Sequence, residues 1–130
     1  MSRNTIERTE GCHVVSAKAD ATVTIPKGSA VVFSTSDYLV TNLPDQDTHA
    51  QGITLAAHAS GVYECIPVLL PGPVLRVTAG VGDVAVGNLV NGSAAAPGTF
   101  IVDTTDPCGF VLEAAVAGVD FDMCYVGEQD

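Results

Sequence analysis

Apolar residues along this chain come in short runs, often alternating with polar ones at a period of two, and Gly, Pro, Asn or Asp breaks each run within a few residues. Thr22-Val23-Thr24-Ile25 and Asp120-Phe121-Asp122-Met123 alternate most cleanly, as a strand with one wet and one buried face must. With their β-branched residues, the runs predict strands at about 13–17, 22–25, 30–34, 38–41, 62–70, 74–78, 99–102 and 119–126. The segments with helical alanine content, 56–59 and 114–117, are about one turn long, so the pattern specifies an all-β fold. Pro67 interrupts the run 62–70. Because proline has no backbone N–H to donate, that strand is predicted to lie at a sheet edge or to carry a bulge.

The longest pattern is an internal repeat. Gly52-Ile53-Thr54-Leu55-Ala56-Ala57-His58-Ala59-Ser60-Gly61-Val62 aligns without a gap on Gly109-Phe110-Val111-Leu112-Glu113-Ala114-Ala115-Val116-Ala117-Gly118-Val119, 57 residues further on. Both read Gly-apolar-x-Leu-x-Ala-x-x-x-Gly-Val, and a Gly-led apolar run precedes each, at 28–32 and 87–90. The end glycines suit turns or close backbone approach, the leucine a core anchor, and the alanines a closely packed neighbour. The repeat divides the chain into an N-terminal arm with the first strands (1–27) and a β domain (28–130) of two similar halves, about 28–70 and 87–127.

Composition fits that reading. The chain of 130 residues is long enough for one core. Of its residues 47% are hydrophobic, yet only 5% are aromatic and none is Trp, which describes a core of small side chains. Charge is split unevenly. Residues 1–27 hold Arg3, Arg8, Lys18 and Lys27 against three acids, while residues 28–130 hold Arg76 alone against twelve. So acidic a body repels phosphate and argues against nucleic acid as a partner. The N-terminus is polar and no run of about 18 apolar residues occurs, so neither a leader peptide nor a membrane span is expected and the chain is read as made in the cytoplasm. In that compartment Cys12, Cys65, Cys108 and Cys124 are expected as buried free thiols.

The stretch Val86-Gly87-Asn88-Leu89-Val90, through Gly98-Thr99-Phe100-Ile101 and the segment Gly109 to Gly118, up to Val126, resembles the phage capsid cement, or head decoration, family of short Ala/Gly/Val-rich chains. The resemblance covers about residues 26–127. The chain departs from the family in having four cysteines and a 27-residue lead. The resemblance implies a small β-barrel or β-tulip-like sandwich that adds to the outside of an assembled capsid and stabilises it. It also implies the major capsid protein as partner and a homotrimer on the shell. Residues for that contact are sought where charge or an open edge offers one: Arg3, Arg8 and Lys18 in the basic lead, and Pro67.

Catalytic chemistry is not signalled. The histidines are His13, His49 and His58, and His58 has Ala115 as its repeat counterpart, which makes it a loop or strand-surface residue. No nucleophile elbow, zinc-protease motif or phosphate-cradling loop occurs. Cys12-His13, Cys108 and Cys124 lack the close spacing of zinc ligands, and Asp45-Gln46-Asp47 lacks the Gly and Glu of a calcium loop, so neither a metal nor a cofactor is expected. The rival function is a carbohydrate-binding or host-surface adhesion module. It is disfavoured because such sites present aromatic faces, and the chain has only Tyr38, Tyr63 and Tyr125 besides its phenylalanines.

Overall fold

The computed structural model describes residues 13–34 and 36–127. Ten strands occur there: β1 (Val14–Ala19), β2 (Ala30–Phe33), β3 (Leu39–Asn42), β4 (Gly52–Thr54), β5 (Cys65–Leu69), β6 (Val74–Thr78), β7 (Leu89–Gly92), β8 (Phe100–Val102), β9 (Gly109–Val111) and β10 (Asp120–Tyr125). No helix is found among the described residues. Seven predicted runs coincide with strands. The eighth, Thr22-Val23-Thr24-Ile25, keeps its alternation, with Ile25 fully buried, but makes only a single bridge, Ile25 to His58.

β1 to β5 form a closed barrel in the order β1-β3-β2-β4-β5, with β5 returning to β1. β6 to β10 form a five-stranded sheet in the order β6-β10-β9-β7-β8, whose two ends meet through one parallel bridge, Ala79 to Phe100. The second unit repeats the first pairing by pairing. Val31 opposite Gly52 becomes Val90 opposite Gly109. Thr54 opposite Val68 becomes Val111 opposite Met123, and Val14 opposite Leu69 becomes Val74 opposite Cys124. The parallel contact of Ala19 with Val40 becomes Ala79 with Phe100, and the bridge Ile25–His58 becomes Val84–Ala115. The repeated architecture therefore begins one strand before residues 28 and 87, at β1 and β6, and β1 is a wall of the first barrel.

Each repeated position keeps its place in the core. Ala17, Ile25, Val40 and Ile66 fill the first barrel, and Val77, Val84, Phe100 and Phe121 stand at the same positions in the second. In the repeated motif, Gly52 and Gly109 are held to glycine by packing: an added Cβ would run into Val68 in one unit and into the Cys124 carbonyl in the other. The leucines are not anchors. Leu55 and Leu112 are exposed, because β4 and β9 end one residue earlier and the chain turns outward there.

The second unit seats on the first through a joint of small and amide residues. Gly92 meets Ala30 so closely that a Cβ would collide with it, and Gly98 packs on Pro26. The buried Asn91 amide accepts from Ala50 N at 3.0 Å and donates to Thr48 O at 2.9 Å. Gln46 donates to Gly92 O at 2.8 Å and accepts from Ala94 N at 3.0 Å. Leu43, Ala50 and Ile53 of the first unit share one apolar cluster with Val90, Cys108 and Tyr125 of the second.

Pro67 does not lie at an open edge. It faces Ser16 across β1, and β5 is bonded to β4 on its other side. The Pro67 carbonyl accepts from Leu55 N, one residue beyond the last β4–β5 pair, Thr54 opposite Val68, so the proline sits where the ladder between these strands ends. Cys108, Cys124 and Cys65 are free thiols as expected, and Cys108 is buried, but Cys124 is half-buried and Cys65 exposed, while Cys12 lies outside the described residues.

Candidate functional site

The two units share one plan, so the places where the first departs from the second mark residues the fold itself does not require. Three departures converge at one end of the first barrel. The first is the turn between β2 and β3. There Tyr38 adopts a left-handed backbone, φ 58°, where the corresponding residue of the second unit is Gly98. A side chain in that region costs about 1–2 kcal/mol relative to glycine. The conformation is held by the Tyr38 carbonyl, which accepts from Lys18 N at 2.7 Å, and it leaves the tyrosine 64% exposed.

The second departure is a loop two residues longer than its counterpart. In the first unit Ala19 N donates to Glu64 O, three residues after Gly61, and in the second Ala79 N donates to Val119 O, directly after Gly118. The extra residues are Val62 and Tyr63, and Tyr63 is 92% exposed.

The third is a polar pair in place of an apolar one. His58 and Glu64 occupy the positions of Ala115 and Val119. His58 is buried, contrary to the surface position read from sequence. Its Nδ1 lies 2.7 Å from Glu64 Oε2 and its Nε2 lies 3.1 Å from the Asp20 carbonyl. Both ring nitrogens thus lie within hydrogen-bond reach of an oxygen. The Glu64 side chain is 39% exposed and its carboxylate makes no other hydrogen bond to a described residue, so a fixed carboxylate stands at the surface with a buried histidine behind it. Beside it, the Asp20 carboxylate is tied to Thr22, through the hydroxyl at 2.6 Å and the backbone N–H at 2.9 Å, and these bonds hold it below the usual carboxylate range.

Beside these elements lies a groove of about 400 Å³, lined by Lys18, Ala19, Ala21, Ser36, Leu39, Tyr63, Glu64 and Cys65, with the Tyr38 and His58 side chains outside its lining. Of the four residues read from sequence as contacts, Lys18 lines this groove, exposed on β1. Arg3 and Arg8 lie outside the described residues. Pro67 is exposed on the barrel wall but offers no unpaired strand edge. The structure adds Tyr38, Tyr63, His58 and Glu64, and the repeat held their signal: the His58 to Ala115 exchange and the extra residues after Gly61 both break an otherwise regular duplication. Among the described residues no three His, Cys, Asp or Glu side chains gather as metal ligands. Burial pushes the Cys108 thiol up to about 12, which keeps it a protonated core residue.

No protein-family model matches the sequence, and no curated protein sequence does. Among solved structures the chain resembles the head fiber gp8.5 N base of bacteriophage phi29, with a TM-score of 0.69 at 18% identity, over 91% of this chain and 99% of that one. At that identity the likeness establishes a shared fold, and it extends over both barrels.

Proposed function

We propose that this chain is a structural, non-enzymatic protein of a phage head that binds the outside of the capsid through the major capsid protein, stabilises it, and acts there as a homotrimer. The observation that carries the reading is the likeness of the whole two-barrel unit, joint included, to the base of a phage head fiber. A base is the part of a fiber that must hold to something, so the same fold suits a subunit whose function is an interface. The composition supports this: an acidic, small-residue, all-β body with a basic lead at its N-terminus.

Cosedimentation of the purified chain with capsids assembled without it tests the proposal. Saturable binding at a fixed ratio to the major capsid protein is expected. Failure to pellet with capsids, alongside binding to tails or to no particle at all, overturns it.

A further inference from the structure

We infer that the groove beside the β2–β3 turn of the first barrel is a binding site for one or two residues of a neutral saccharide, with Tyr63 as the stacking face and Glu64 and Lys18 as hydrogen-bonding groups. This site is separate from capsid attachment and does not rest on it.

The duplication serves as an internal control. The second unit builds the same barrel with Gly98, Ala115 and Val119 where the first has Tyr38, His58 and Glu64, and without the extra Val62-Tyr63. Folding therefore needs none of these groups at these positions. Nor does the joint. The second unit's turn at Gly98 is the part that packs on Pro26, whereas the equivalent turn of the first unit, at Tyr38, faces solvent. A backbone held in a costly conformation, an insertion that exposes a tyrosine, and a buried histidine that fixes a surface carboxylate all meet beside one groove, which is how a preorganised site is built.

The chemistry of the lining selects the ligand. The Tyr63 ring, exposed over nearly its whole surface, offers the flat apolar face on which the C–H face of a pyranose stacks. Glu64 Oε1 is an acceptor whose partner oxygen is already fixed by His58 Nδ1, and the Lys18 ammonium and Ser36 hydroxyl supply donors. Lys18 and Glu64 make no ion pair with each other among the described residues. A cation and an anion set apart in one groove disfavour a ligand charged of either sign and suit groups that donate and accept at once, which hydroxyls do. The volume, about 400 Å³, lies at the small end of ligand sites and fits one or two sugar rings.

The test is a titration of the isotope-labelled full chain, followed by NMR, with glucose, galactose, rhamnose and N-acetylglucosamine and the trisaccharides of glucose and N-acetylglucosamine. At least one of these probes is expected to give saturable shifts centred on Lys18, Leu39, Tyr63 and Glu64. Tyr63→Ala should weaken that binding roughly tenfold without changing Tm, since the ring contributes contact area to the ligand and none to the core. The inference is overturned if no probe gives saturable shifts at millimolar concentration, if the shifts centre elsewhere, or if Tyr63→Ala binds as the parent chain does. It is also overturned if the groove's amides respond to capsids and to none of the saccharides, which would make the groove a protein-docking face.

Discussion

Tyr38 and His58 show most directly how single residues depart from what the fold alone asks. At Tyr38 the chain accepts a left-handed backbone that its own second half gives to glycine. Tyr38→Gly should stabilise the protein by about 0.5–1 kcal/mol, the relief of strain less the extra freedom glycine has when unfolded, read as a rise of a few degrees in Tm. At His58 the opposite holds. His58→Ala restores the residue the second unit uses but strips Glu64 and the Asp20 carbonyl of their donor and leaves a space, so urea unfolding should show a loss of about 1–3 kcal/mol. Asp20 adds a pH dependence. Its bonds to Thr22 hold the folded-state carboxyl below its ordinary value, so ionised Asp20 favours the folded state. That contribution is whole above about pH 4, the ordinary carboxylate value, and fades as pH falls through the lower folded-state value. Asp20→Asn should therefore reduce stability at neutral pH and flatten its fall below about pH 4, as Tm measured across that range will show.

At the scale of elements, the legible strands were those with alternation or β-branched runs of four residues or more, and the three that went unread are β4, β7 and β9. Each of these carries a glycine at one end, Gly52, Gly92 or Gly109, which reads as a break along the chain and works in space as a close approach. The gap-free repeat located the duplicated motif but hid its extent, because the loops differ in length: Val14 answers to Val74, 60 positions on, and Val68 to Met123, only 55 on. The inference from Pro67 failed for a related reason. A missing donor requires an unpaired side only if the neighbouring strand is still present, and β4 has ended at Thr54 before Pro67 is reached. The same closeness at Gly92 yields a prediction for the joint. Gly92→Val should force Ala30 and Leu43 apart at a cost of about 1–3 kcal/mol and speed hydrogen exchange at the amides of Ala50 and Ala94, which donate across the joint. Ala95→Val, exposed in the same turn, should change neither.

As a whole the molecule is two copies of one barrel joined by surfaces that are not equivalent. Ala30 meets Gly92 and Pro26 meets Gly98, while the reciprocal partners Ala85 and Tyr38 are both exposed. Such a contact leaves each end of the pair with a different surface among the described residues. The all-β class of the fold was legible in the sequence. The groove stayed hidden because its residues, 18, 19, 21, 36, 39 and 63–65, come together only when the barrel closes. Charge sets the expected behaviour on the shell. Neutralising Arg3 and Arg8 together should lower occupancy on capsids and flatten its dependence on salt, because screening weakens a charge-mediated contact and leaves an apolar one intact. The most direct measurement of the proposed role is electron cryomicroscopy of phage heads assembled in the presence of this chain. The account predicts density for paired barrels on the outer capsid surface, clustered in threes against the major capsid protein. Heads whose outer surface carries no such density, or the chain found only in the tail, would contradict it.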